Sequence, residues 1–259
     1  MESTETQKQR AIDVHSAQAA LFDSRYAELS NSAYRNCFVY SRQRLEKFMQ
    51  RYLPARAEGL RLLDVGCGTG HHLAVLRARG FDVTGVDGSA EMLQHAQAHN
   101  PGITFRQADV EALPFDDASF DFVVCIEVLR YLPDSLPCLR ELARVLKPGG
   151  VCLVTAAPWL SVNGYWLLNQ LTSRAQIGTL TKVRQYFASS GRLRAEARTA
   201  GFGALTIHGV YGGPFIWVER LIPALVPPLL KAWEPLDDVF TDLPGLREFS
   251  NMFLVRAVR

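Results

Sequence analysis

The stretch RLLDVGCGTGHHL, residues 61 to 73, sets Gly66, Gly68 and Gly70 at every second position behind a short apolar run that contains one acid, Asp64. A strand that ends in a glycine turn and opens into a helix offers bare backbone and a helix N-terminus to a ligand at the carboxyl edge of a sheet. The spacing departs from two phosphate-binding patterns. A dinucleotide fingerprint would carry its third glycine where this chain has His71, and the lysine of a P-loop is missing. Asp64 points the same way, since a carboxylate at the strand end repels a pyrophosphate and can accept from an ammonium group. Asp87, 21 residues beyond Gly66 in GVDGSAEML, stands where an acid can take both hydroxyls of a ribose. Asp109, in RQADVEALPF, falls at the same edge, where it could accept from an adenine amine. Two acids and a glycine loop suit a nucleoside that carries an amino acid and no phosphate.

These residues need a sheet to align them, and the pattern from residue 60 onward predicts one. Apolar runs at 60–65, 81–86, 103–107, 120–126 and 151–155 alternate with segments whose apolar residues recur three and four apart, such as SAEMLQHAQAH. Strand and helix in alternation predict a parallel sheet covered on both faces. ALTIHGV and NMFLVRAV read as two late strands, giving an α/β, doubly wound, Rossmann-like seven-stranded sheet with helical lid insertions. The expected organisation is a flexible N-terminus over 1–12, a helical cap over 13–56 and a nucleoside-binding core over 57–157. A helical insertion and return helix follow over 158–200. The last two strands, over 201–259, enclose an apolar, proline-broken lid at about 213–248.

Four ordered blocks, LLDVGCGTG, GVDGSAEML, ADVEALPFDDASFDFVVCIEVLRYLPD and LARVLKPGGVCLVT, make residues 60–157 resemble the class I S-adenosylmethionine-dependent methyltransferases, in the small-molecule branch with the ubiquinone and menaquinone methylases. The resemblance implies S-adenosylmethionine as cofactor, leaving S-adenosylhomocysteine. It implies that Asp64 and the backbone of Gly66 and Gly68 hold the methionine part, with Cys67 and Gly70 in the same turn. Asp87 and Gly88 would serve the ribose, Met92 the adenine face, and Asp109 with Val110 the adenine edge. Ile126 and Glu127 would face the sulfonium and the acceptor. Tyr26 or Tyr34 would cover the methionine end, as aromatic N-terminal residues do in relatives. Relatives often carry a histidine after the fourth strand; this chain has Arg130 and Tyr131 there.

Methyl transfer from a sulfonium is an in-line displacement, and a base is needed only when the acceptor must lose a proton. Glu127, Tyr131, His15 and His208 are the candidate bases. Glu127 has a competing reading as the ion-pair partner of Arg130, three residues on, and His208 as a satisfied sheet histidine; His71 and His72 are expected to face solvent or pack locally. No metal is expected, because a catechol-type site would want an acid at position 126 and a later Asp-Asn pair. The net charge of +2 excludes a broad nucleic-acid footprint. Five scattered cysteines and a polar N-terminus suit a reduced, cytoplasmic protein. The expected acceptor is a small, largely apolar metabolite methylated at O, N or C. The alternatives are an isoprenoid quinone or other lipid at a membrane surface, reached through the apolar segment 215–240, and a non-catalytic cofactor-binding partner. That segment also reads as core packing or a subunit contact, and the chain as a monomer or homodimer.

Overall fold

The computed structural model describes residues 4–27, 34–178 and 183–259, with the side chains of Thr4, Tyr26 and Ala27 outside the description. Helices α1 (Thr4–Ser16), α2 (Ala19–Ala27) and α3 (Cys37–Tyr52) precede the sheet. β1 (Arg61–Val65), α4 (Leu73–Ala78), β2 (Asp82–Asp87), α5 (Ala90–His99), β3 (Thr104–Gln107) and β4 (Phe120–Cys125) form its first half. α6 (Leu136–Val145), β5 (Leu146–Ala156), α7 (Tyr165–Ala175), α8 (Ser190–Thr199) and β6 (Ala204–Gly209) follow. The chain closes with α9 (Phe215–Leu221), α10 (Val226–Phe240) and β7 (Phe253–Val258).

The strand order is β3-β2-β1-β4-β5-β7-β6, parallel except for β7, which runs antiparallel to both β5 and β6. This is the α/β, doubly wound, seven-stranded sheet the pattern predicts. Its central strands carry apolar residues toward both faces because both are covered. Successive residues therefore feed opposite cores. Leu63, Val123, Val154 and Val255 pack on one face with Leu139 and Leu142 of α6. Leu62, Val124, Leu153 and Leu254 pack on the other with Leu45 and Phe48 of α3 and Leu73 of α4. Among the described residues no helix is long and apolar enough to cross a membrane.

Two expectations change. Residues 4–12, read as a flexible tail, form most of α1, held by Lys8, which is 8% exposed and donates to Asp109 Oδ2 at 2.6 Å and Glu111 Oε2 at 2.9 Å. A polar helix thus gains its stability from long-range ion pairs that local periodicity does not report. β5 begins at Leu146 rather than Val151, because Leu146 pairs with Phe120 across a register shift and draws LKPGG into the ladder.

A buried carboxylate helps fasten the 213–248 segment to α3, alongside the Lys47–Glu234 ion pair and the Cys37 N–H bond to Glu219. Asp237 on α10 accepts from the Tyr40 hydroxyl of α3 at 2.8 Å and from Gly212 N at 2.6 Å, with Arg44 Nε 3.8 Å away. Tyr40→Phe removes a buried hydrogen bond to a charged group and should cost about 1.5–3 kcal/mol in urea unfolding. A cost below about 0.5 kcal/mol, the ordinary range of a surface change, would show that the lid is not anchored there.

Candidate active site

β1, β2 and β4 end at one edge of the sheet, and the order of the chain reverses between β1 and β4, which opens a crevice at that point. A cavity of about 330 Å³ occupies it. Of the residues expected to bind the cofactor, Asp64, Gly66, Cys67, Gly68, Asp87, Gly88, Met92, Asp109, Val110, Ile126 and Glu127 line this cavity, together with His15 and Tyr131. Gly70 and His208 do not line it. Tyr26 carries a side chain outside the described residues.

The three glycines of the turn are required for three different reasons, all with positive φ. A Cβ on Gly66 would fall inside Val128 Cγ2, so this glycine lets the turn after β1 pass the segment after β4. One on Gly70 would lie 2.8 Å from Asn100 Nδ2 and 3.1 Å from the Ala96 Cβ, so it serves the packing of α5. Gly68 alone has open space where its Cβ would be. The N–H groups of the turn are also committed internally: Gly66 and Cys67 donate to Val86 O, and Gly68 donates to Asp87 Oδ2 at 2.8 Å. The bare surface offered to a ligand is therefore that of Gly68, a narrower patch than the sequence suggests.

Asp64 is 4% exposed, and its carboxylate accepts no hydrogen bond from the described residues. Burial, with the nearby Asp87 charge adding to it, pushes its pKa up to about 7. Burial also raises Asp87, opposed by the N–H groups of Ser89 and Gly68 that bond its two oxygens. Ser89, not Asp87, caps α5, its hydroxyl accepting from Met92 N at 3.1 Å. A pair of buried acids with so little internal compensation suits a cationic ligand.

The cap closes over this side. Ile12 of α1 packs on Gly88, where a Cβ would come within 2.8 Å of its Cδ1. Asp109, expected at an adenine amine, bonds Lys8 through Oδ2 and the Glu111 N–H through Oδ1 at 3.0 Å, so any ligand amine shares an acid already engaged.

At the end of β4 the four candidate bases separate. Glu127, in the left-handed region at φ 64°, donates its N–H to Thr155 Oγ1 at 2.7 Å and receives a hydrogen bond from Arg130. Burial would raise its pKa, but Arg130 and Arg42 overcome that and hold it below the ordinary carboxylate range, making it an ion-pair partner rather than a base. Burial raises the Tyr131 hydroxyl well above the usual phenol range. His15 donates from Nδ1 to Ala11 O at 2.7 Å, which leaves Nε2 as the basic nitrogen; burial keeps the ring neutral at pH 7. Its ring stacks on Phe22 at 5.5 Å and meets Tyr131 edge-on at 4.6 Å. His208 sits on β6 between Tyr52 and Asp242, both ring nitrogens engaged, and Phe48 covers its ring. It is a satisfied sheet histidine because β6 is the edge strand farthest from the switch point. His71 and His72, expected to face solvent or pack locally, line the cavity instead.

The sequence did not point to Lys8, Arg42 and Gln185, which also line the cavity. Arg42 is 8% exposed and Gln185 2% exposed. Buried polar side chains from an otherwise amphipathic α3 and from a proline-free loop carry no spacing signal; only the charge of Arg42, within the buried stripe of α3, could have marked it.

A sheet of this order, with a carboxylate-flanked glycine turn at its switch point, is a Rossmann-like site for a cationic nucleoside. The family model for a methyltransferase domain matches residues 63–154. The chain is 44% identical over 177 residues to a malonyl-[acyl-carrier protein] O-methyltransferase of Erwinia billingiae, 61% of this chain and 70% of that protein. It is 39% identical over 172 residues to the protein of the same name from Erwinia pyrifoliae, 65% of this chain but only 60% of the relative's length. A crystal structure from Thermotoga maritima, described as a possible histamine N-methyltransferase, shares the fold with TM-score 0.65 at 18% identity, covering 96% of this chain and 99% of that one. The chain belongs to the class I S-adenosylmethionine-dependent methyltransferases. The site fits that cofactor: Asp64 has an unbonded carboxylate for an ammonium group, Gly68 leaves room beside it, and each Asp87 oxygen keeps a lone pair for a hydroxyl.

Two predictions follow from the turn and its acids. Asp64 binds its proton more tightly folded than unfolded, so its contribution to the stability of the ligand-free protein is fully present below about pH 4 and is lost as pH rises through about 7. At about 1.4 kcal/mol per pKa unit the loss is on the order of 3–5 kcal/mol. Asp64→Asn should flatten that profile in urea unfolding while weakening cofactor binding about 10- to 150-fold by calorimetry; an unchanged profile would relocate the titration. Gly68→Ala should leave the melting temperature within about 4–8 °C of the parent, a cost near 1–2 kcal/mol, yet impair cofactor binding. Gly66→Ala should lower the melting temperature by more, and the reverse order would refute the division of roles.

Proposed function

We propose that this chain transfers a methyl group from S-adenosylmethionine to an oxygen of a small, largely apolar acceptor by in-line displacement, and that the accepting oxygen belongs to a carboxylate. The observation that carries the reading is the pair of guanidinium groups, Arg42 and Arg130, that line the same cavity as Asp64 and Asp87. Arg130 spends one nitrogen on Glu127, while its Nε, buried from water, has no partner among the described residues. A guanidinium with donors left over matches a carboxylate in geometry and charge. Tyr165, 5.8 Å from the Arg130 guanidinium, and Phe38 add apolar wall beside it. The Erwinia relatives, named for O-methylation of a malonyl group on acyl carrier protein, support a carboxylate-bearing acceptor.

Bound S-adenosylmethionine supplies an electrophilic methyl group on a sulfonium. Asp64 and Asp87 hold the donor, Arg42 and Arg130 hold the acceptor carboxylate, and Glu127 fixes the rotamer of Arg130. A carboxylate is ionised at neutral pH, so the step needs neither a base nor a metal to generate a nucleophile. Glu127 is then a positioning residue. An acceptor that must lose a proton would turn to His15 Nε2. What the protein adds is alignment and the exclusion of water by α1, effects that reach effective molarities of about 10⁵ M or more.

A second reading, methylation of a quinone or other lipid at a membrane surface, draws on the apolar face of α9, α10 and the turn between them. Leu221 is 79% exposed, Val239 61%, Leu236 57% and Ile222 53%. Such a face suits a lipid interface.

The test is a methylation assay with a malonyl thioester and its acetyl analogue, beside calorimetry with S-adenosylmethionine and S-adenosylhomocysteine. Methyl ester should form from the malonyl compound alone. Arg42→Met should raise its KM about 10- to 150-fold, the cost of a charged hydrogen bond, with donor binding unchanged, whereas Asp87→Ala should weaken donor binding. Turnover of amines or phenols but not carboxylates would overturn the carboxylate assignment. Activity confined to vesicle-borne acceptors, with sedimentation on vesicles, would favour the second reading, and failure to bind the donor would overturn the enzyme.

A further inference from the structure

Asp23 of α2, His71 just before α4, and His95 and His99 of α5 converge where the cap meets the core. Asp23 Oδ1 lies 3.4 Å from His71 Nε2 and 3.4 Å from His99 Nδ1. His95 Nδ1 is 3.6 Å from the other carboxylate oxygen. The ligand atoms of Asp23, His71 and His99 all fall within 4.8 Å of one another, and the rings of His71 and His99 are 5.7 Å apart. His95 and His99 stand four residues apart, one turn of one helix face.

The Asp23–histidine separations are long for hydrogen bonds and fit ligand atoms gathered around a common ion. Asp23 Oδ1 is cut off from water and accepts no hydrogen bond among the described residues, a state that costs free energy unless a cation compensates it. A tetrahedral ion with bonds of about 2.0–2.1 Å to nitrogen and oxygen separates neighbouring ligand atoms by about 3.3–3.4 Å. Both Asp23 distances match that edge. Imidazole with carboxylate, and no thiolate, is a donor set for zinc and its divalent neighbours rather than for copper(I).

We propose that Asp23, His71 and His99 form a binding site for a divalent transition metal of the zinc class, with His95 beside the carboxylate as its outer partner. Water completes the coordination. The ion fastens α2 to α4 and α5, and so holds Phe22 and Arg25, which line the donor cavity, in their closed positions. It acts on the cap and takes no part in methyl transfer. The expectation of a metal-free protein is revised in this respect.

The full chain, stripped with EDTA and desalted, is titrated with Zn²⁺ by calorimetry, and bound metal is counted by mass spectrometry. One ion per chain is expected, binding about tenfold or more weakly in both Asp23→Asn and His99→Ala. Zn²⁺ should raise the melting temperature of the parent and leave both variants unmoved. Co²⁺ should give the intense visible absorption of a four-coordinate site in the parent alone. His99 is half exposed, so its variant should match the metal-free parent in melting temperature, which separates lost metal from lost fold. Sub-stoichiometric binding by the parent, or equal affinity in parent and both variants, would overturn the site and leave an Asp–His ion-pair cluster in its place.

Discussion

The structure is organised around a buried negative charge that the protein itself does not neutralise. β1 ends in Asp64, whose carboxylate finds no hydrogen bond, and β2 ends in Asp87, whose two oxygens take only backbone N–H groups. Pairing β1 with β2 in register sets these strand ends side by side, and the reversal of strand order beyond β1 leaves the space in front of them open. Two like charges in low dielectric raise each other's pKa and cost folding energy. The rest of the turn is arranged to tolerate that cost: Gly66 passes Val128, Gly70 admits α5, and Asp87 staples Gly68 from below. A cationic ligand recovers in binding what the fold forgoes in stability.

Charge is divided along the cavity. The acids lie at the ends of β1 and β2, while Arg42 of α3 and Arg130, which follows β4 and bonds Glu127, bring guanidinium groups to the same cavity. Glu127 holds an unfavoured backbone conformation, its N–H tied to Thr155 on the neighbouring strand. A non-glycine residue in the left-handed region costs roughly 1–2 kcal/mol, and here it turns the carboxylate toward Arg130 instead of into the sheet edge. One cavity is thus lined by both buried acids and guanidinium groups. In the proposed reaction this polarity would align a sulfonium donor with an anionic nucleophile before any chemistry occurs.

The strands, their parallel order and the acids that end them were legible because each rests on local pattern. An apolar run buried on both faces, followed by an acid and a glycine turn, names its own position in the sheet. The residues that sequence did not reveal reach the site from far along the chain. Lys8 meets Asp109 across 101 residues, and Gln185 and Arg42 come from separate helix and loop segments with no shared spacing. His208 reads as a candidate because it lies near the end of a predicted strand, yet strand β6 lies at the far edge, a fact set by the antiparallel return of β7 that periodicity does not encode. The glycine run was legible as a binding turn but not as a division of labour, since only the surroundings tell a glycine kept for a ligand from one kept for Val128 or Asn100.

Access to the site follows from the same ion pairs that order the cap. Ile12 lies on Gly88, Lys8 spans Asp109 and Glu111, and His15 seals against Phe22 and Tyr131, so α1 and α2 cover the ribose and adenine side. Helix α1 carries few apolar contacts of its own, Ala11 and Val14 against Val183 being the buried ones, and elements held by few apolar contacts open at a free energy well below that of global unfolding. Its polar composition, which makes the segment read as a frayed tail, goes with docking through the Lys8 ion pairs more than through apolar packing.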